Sequence, residues 1–197
     1  MTPGEVGCAL SHMKAYKNLI HSGEEYALIL EDDVIGNDKD IEKIQELMPE
    51  LLNRYGNRFV WYVGGMEGLS KKYIYVKKTS IVGVYVVHEL SKRYLYRTSS
   101  YVVTKVAAEQ ILESQMKCLR IADSWDKILP REFMMLYSSI LKHPHEREDS
   151  NIHLERIQVR TAPRRILWSI AKEELLRQLK KFPLILSLPV GYKKLKD

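Results

Sequence analysis

The stretch YALILEDDVIGND, residues 26–38, runs from five apolar residues straight into three acids. Tyr26 to Leu30 is too short for a helix and follows the stop signal Ser22-Gly23, so it predicts a buried strand. Glu31, Asp32 and Asp33 then stand side by side at the carboxyl end of that strand. Their mutual repulsion has to be offset by something positive. On extended backbone Glu31 and Asp33 point to one side and Asp32 to the other. Two carboxylates converging from one strand end make a hard oxygen site, suited to Mg²⁺ or Mn²⁺. The competing reading is a solvated acidic turn ahead of the next helix.

Outward from this stretch, helices and strands alternate. Val6, Ala9, Leu10, Met13, Tyr16, Leu19 and Ile20 recur at helical spacing before it. Ile41, Ile44, Leu47, Leu51 and Leu52 form a second helical stripe after it, expected to kink or break at Pro49. RFVWYVGG (58–65) predicts another buried strand ending in a glycine turn. KYIYVKK (72–78) and VGVYVVHEL (82–90) predict shorter, partly exposed strands. SSYVVT (99–104) leads into the helical KVAAEQILESQ (105–115), and REFMMLYSSIL (131–141) predicts a further strand. This order predicts an α/β sheet covered on both faces, with ligands at the carboxyl ends of strands.

At 197 residues and 45% apolar, the chain can build the core of one domain plus an appendage. It has neither a run of ~20 apolar residues nor a signal-peptide pattern. Cys8 and Cys118 lie far apart, and are expected to be reduced, buried thiols of a cytoplasmic protein.

The segments TPGEVGCALSH (2–12), ILEDDV (29–34), YVGG (62–65), SSYVVT (99–104) and ADSW (122–125) occur in one order. That series resembles glycosyltransferase family 25, whose bacterial members are lipooligosaccharide galactosyltransferases and whose animal relatives glycosylate collagen hydroxylysine. The resemblance covers roughly residues 2–156. It implies a GT-A-like mixed sheet flanked by helices, a UDP-sugar donor (usually UDP-galactose), a divalent Mn²⁺ or Mg²⁺, and inversion at the anomeric carbon. The family's acidic motif falls on Glu31, Asp32 and Asp33. Asp33 is then the metal ligand, and Glu31 either shares the ion or lies near the ribose. The helix of GEVGCALSH would flank the donor pocket, with Glu5, Ser11 and His12 towards it. Gly64 and Gly65 would let backbone approach the donor, although a plain turn explains them equally well.

Inversion in one displacement needs a carboxylate that takes the acceptor hydroxyl's proton. ADSWD offers Asp123 and Asp126. The family's D-x-W pattern lands on Asp123 and leaves Trp125 as an apolar platform for a sugar ring. Otherwise Asp123 caps a short helix and Trp125 is simply buried. EDSNIHLER (148–156) resembles a family segment and places Ser150, Asn151 and Arg156 on the acceptor side.

From residue 160 onward ten Lys/Arg face three acids, a surplus of seven in a chain of net charge +6, so residues 1–159 are near neutral. Leu167, Ala171, Leu175, Leu179 and Phe182 line one helical face among these charges. Residues 160–197 are therefore expected to form an amphipathic tail at an anionic membrane surface, beside a glycosyltransferase domain of residues 1–159. No nucleic-acid motif accompanies the charge. The expected acceptor is a lipid-anchored oligosaccharide at the inner face of the bacterial cytoplasmic membrane. Family members carry a strand and helix ahead of GEVGCALSH, whereas Met1 stands directly before TPGEVGCALSH. The resemblance thus implies an N-terminally incomplete domain, and the rival reading is a non-catalytic remnant.

Overall fold

A computed structural model of the protein describes residues 1–144 and 188–195. Ser150, Asn151, Arg156 and most of the basic tail lie outside them. Among the described residues no helix is long and apolar enough to cross a membrane.

The chain begins with α1 (Pro3–Ser22), fixed at its start by a capping box. Thr2 Oγ1 accepts from the Glu5 N–H, and Glu5 Oε2 accepts from the Thr2 N–H. Gly23 ends the helix in the left-handed region at φ 84°. Then come β1 (Tyr26–Leu30), α2 (Asp38–Tyr55), β2 (Phe59–Gly64), β3 (Tyr75–Lys78), β4 (Tyr85–Val87) and a 3-10 turn at Glu89–Tyr94. They are followed by β5 (Ser100–Thr104), α3 (Lys105–Lys117), α4 (Trp125–Ile128), β6 (Met134–Leu141) and β7 (Lys193–Lys194). The strands form one mixed sheet in the order β1-β5-β2-β6-β4-β3-β7. Only β2 and β6 run parallel, and the remaining neighbours are antiparallel.

Alternation along the strands separates two cores. Val60, Tyr62, Tyr101 and Val103 pack with Tyr16, Ile111 and Trp125 on the face of α1, α3 and α4. Phe59, Trp61, Val63 and Val102 pack with Ile44, Met48 and Leu51 of α2 on the other face. The expected α/β sheet with helices on both faces is what the chain builds.

Four expectations need correction. β1 is an edge strand and only half-buried, because β5 is its one partner among the described residues. A short apolar run has the same composition at an edge as at the centre. α2 runs unbroken through Pro49, held to the sheet by buried Met48 before the proline and Leu51 after it. Cys8 is half-buried and Cys118 exposed, although both are free thiols as expected. The far end of the tail belongs to the domain: β7 pairs with β3, Leu195 is buried, and its N–H donates to the Ile74 carbonyl. The open edge of β3 supplies backbone partners that a solvated tail would lack.

Where β2 meets β6, Gly64 is opposite Leu141, and a Cβ on Gly64 would overlap the Leu141 carbonyl. Gly64→Ala is therefore expected to lower stability by about 3 kcal/mol by forcing the two central strands apart. Urea unfolding checks this, and an unchanged midpoint would show that these strands separate freely.

Candidate functional site

Strand order brings four chain segments to one end of the sheet. Leu30 and Gly64 both sit opposite Ser100, and Gly64 also sits opposite Leu141. The residues following β1, β2 and β6 and those preceding β5 therefore converge there. The acidic triplet lies among them.

The triplet is not extended. β1 ends at Leu30, and Asp32 and Asp33 lie in a turn, with the Val34 N–H donating to the Glu31 carbonyl at 3.4 Å. Strand alternation therefore does not set their directions, and the two flanking acids take different partners. Glu31 Oε1 accepts from Thr98 Oγ1 at 2.8 Å and lies 3.4 Å from His12 Nε2. Asp33 Oδ2 lies 2.9 Å from His143 Nε2. The bridge between Ile35 and Lys142 delivers His143, its two backbone hydrogen bonds each 2.9 Å long. Asp32 is exposed. Two histidines thus stand opposite the carboxylates.

His12 is buried on α1, and its other nitrogen, Nδ1, lies 2.8 Å from the Tyr101 hydroxyl. That hydroxyl is 2.7 Å from Tyr16 OH. Burial works against a charge on His12. Hydrogen bonds to Cys8 and Glu31 and their electrostatic attraction outweigh it, and its pKa is raised to about 9. Burial likewise pushes the Glu31 carboxyl up. Hydrogen bonds from His12 and Thr98, with the nearby charge of His12 and His143, hold it below its ordinary value. Tyr101→Phe would strip His12 Nδ1 and buried Tyr16 of a partner, so it is expected to cost about 1–3 kcal/mol. Thermal unfolding compared with wild type measures it, and equal stability would exclude the network from the fold's energetics.

Asp123 is half-buried, and its Oδ2 accepts from the Arg97 backbone N–H at 3.1 Å. Arg97 is the one non-glycine at positive φ among the described residues, at 70°. Its Nη1 donates to the carbonyls of Gly65 and Glu67, both at 3.0 Å. Glu67 Oε2 in turn accepts from the His143 N–H at 3.0 Å. A continuous arc therefore runs from Asp123 through Arg97, Glu67 and His143 to Asp33. Sequence reasoning missed Cys8, Thr98, Arg97, Tyr101 and His143. The periodicity of α1 put Cys8 one turn from His12, and no local pattern marks the other four.

Several candidates occupy other surroundings. Glu5 closes the helix cap, and Ser11 is exposed on α1. Gly64 and Gly65 are buried, and what approaches them is the chain itself, the Leu141 carbonyl and the Ser99 hydroxyl. Trp125 is fully buried, edge-on to Tyr101 with ring centroids 5.2 Å apart, so it offers no platform to a sugar. The N-cap of α4 is Ser124, not Asp123. Asp126 Oδ2 lies 3.6 Å from Arg93 Nε.

This α/β domain belongs to glycosyltransferase family 25, because the family model "Glycosyltransferase family 25 (LPS biosynthesis protein)" matches residues 1–135. Procollagen galactosyltransferase 2 of Mus musculus is 28% identical over 145 residues, covering 73% of this chain and 21% of that protein. Procollagen galactosyltransferase 1 of Danio rerio is 28% identical over 149 residues, covering 74% and 22%. A protein named "Probable inactive glycosyltransferase 25 family member 3" in Rattus norvegicus is 27% identical over 115 residues, covering 58% and 19%. The chain thus spans about a fifth of the length of the curated relatives it matches. Among solved structures, mannose-1-phosphate geranyltransferase from Thermus thermophilus aligns at a TM-score of 0.40 and 12% identity, over 69% of this chain and 50% of that one.

Proposed function

We propose that the chain is a metal-dependent, inverting glycosyltransferase of GT-A type that moves galactose from UDP-galactose to a lipid-anchored oligosaccharide of the lipooligosaccharide class. The observation supporting this reading is the arc from Asp33 to Asp123. An inverting displacement needs its base on the far side of the sugar from the departing diphosphate. The arc holds two carboxylates at opposite ends of one hydrogen-bonded frame.

Asp33 carboxylate and His143 imidazole supply oxygen and nitrogen donors within 2.9 Å, a set that fits Mn²⁺ and, less well, Mg²⁺. When bound, such an ion neutralises diphosphate charge as the leaving group departs. Asp123 accepts the acceptor hydroxyl's proton as that oxygen attacks the anomeric carbon. Arg97 and Glu67 fix the loop after β2 between the two ends. Glu31, whose carboxyl His12 and Thr98 hold below its ordinary value, would lie near the ribose. The basic tail would hold the enzyme at an anionic inner-membrane surface beside its acceptor.

A second reading, a catalytically silent family member, is favoured by the word "inactive" in the name of a relative and by the burial of Trp125. Calorimetric titration of UDP with and without Mn²⁺, followed by assay of galactose transfer to deacylated lipooligosaccharide, separates the two. Metal-dependent UDP binding with transfer supports the enzyme. UDP affinity indifferent to metal, with no transfer, supports the silent protein.

A further inference from the structure

Cys8 and His12 lie four residues apart on α1, so both side chains leave the same face of the helix. Glu31, at the end of β1, meets them from the sheet. One candidate donor atom from each residue lies within 4.8 Å of the other two. The spacing of His12 Nε2 and Glu31 Oε1, 3.4 Å, matches the ~3.3 Å edge between nitrogen and oxygen ligands on a tetrahedral ion with bonds of about 2.0–2.1 Å.

The layer behind these atoms is also built. Tyr101 OH holds His12 Nδ1 at 2.8 Å and is itself held by Tyr16, which fixes the ring with Nε2 towards Glu31. Thr98 orients Glu31 through Oε1 at 2.8 Å. Histidine ligands of metals are held this way through the ring nitrogen that the metal does not use. A thiolate, an imidazole and a carboxylate together suit zinc, whereas Mg²⁺ and Mn²⁺ prefer oxygen. Cys8 is half-buried, which leaves an entry path.

We propose that Cys8, His12 and Glu31 form a zinc-binding site with an open fourth position, separate from the Asp33–His143 pair. A metal takes cysteine as thiolate and histidine as neutral imidazole, so any proton these groups carry leaves to solvent on binding. It also holds the first acid of the triplet to α1. The site stands on its own geometry and does not depend on the glycosyl-transfer reading.

Cobalt titration of the full chain tests it, since Co²⁺ takes the same ligands and reports a bound thiolate by a near-ultraviolet charge-transfer band. The expected result is a band that saturates at one Co²⁺ per chain and is displaced by Zn²⁺. Cys8→Ser should abolish it, while Cys118→Ser leaves it intact. Tyr101→Phe should weaken the metal by about 10- to 100-fold by releasing the His12 ring. Circular dichroism confirms that each variant is folded. No thiolate band in folded wild type, or a band that survives Cys8→Ser, overturns the proposal. In either case Cys8, His12 and Glu31 form a hydrogen-bonded cluster that holds no metal.

Discussion

Asp33→Asn is expected to reduce UDP affinity measured with Mn²⁺ to its metal-free level while leaving the unfolding midpoint unchanged. Asp33 lies in a turn, and its side chain is 46% exposed. A surface contact that open contributes about 0–1 kcal/mol to stability, so Asp33→Asn leaves the fold intact. If this carboxylate holds a metal ion, the substitution would remove a formal negative charge from among its ligands, which an amide oxygen does not replace. His143→Gln tests the other half of the pair and is expected to weaken metal-dependent binding by about 10- to 100-fold, since it removes a ligand or its orienting partner. Calorimetry of UDP at fixed Mn²⁺ reads both. Full metal-dependent affinity in a folded Asp33→Asn protein would sink the assignment.

The strands that sequence locates well are the ones whose burial leaves a compositional mark. FVWYVG is buried at every position of β2, and its continuous apolar run with two glycines behind it leaves no helical alternative. The SSYVVT segment gives β5, and Thr104, its last residue, accepts from the Ala107 N–H to start α3. The position of β1 at the sheet edge follows instead from its register with β5, a pairing across some seventy residues that no local window contains. The same holds for β7, where two lysines become a strand because the edge of β3 is available to them. Pro49 misleads in the opposite direction, since local propensity predicts a break that packing of Met48 and Leu51 overrides.

Within the candidate site, the acids are legible because three adjacent carboxylates follow directly on an apolar strand. Their partners are not. His143 reaches Asp33 only because residues 35 and 142 pair across the chain, and a single histidine after a strand gives no sign of that. Arg97 has no motif at all. Its role depends on a left-handed backbone at 70°, which turns its N–H towards Asp123 and its guanidinium towards Gly65 and Glu67. Trp125 illustrates the converse, because a tryptophan beside an acid has the same sequence whether it faces a sugar or Tyr101. Here it faces Tyr101.

Asp123→Asn is expected to lower galactose transfer by about 10²- to 10⁴-fold while UDP-galactose affinity stays near the wild-type value. The substitution is selective because of what Asp123 touches. Its Oδ2 accepts the Arg97 N–H at 3.1 Å, and an asparagine oxygen at the same place can accept that bond. Arg97 then keeps its backbone conformation and its guanidinium stays on the Gly65 and Glu67 carbonyls, so the arc to His143 survives. What disappears is the negative charge, and with it the capacity to take a proton at this position. A base that acts on the acceptor leaves the donor complex unchanged, so the loss should fall on turnover and not on donor binding. Asp126 provides the internal control, because its carboxylate lies towards Arg93 at 3.6 Å and, among the described residues, is not one of the arc's hydrogen-bonding groups. Asp126→Asn is expected to transfer galactose within about threefold of wild type, as for the loss of a partly exposed ion pair. Steady-state rates with UDP-galactose and Mn²⁺ measure both variants. Near-wild-type transfer by folded Asp123→Asn, or inactivity confined to Asp126→Asn, would remove Asp123 from the role of base.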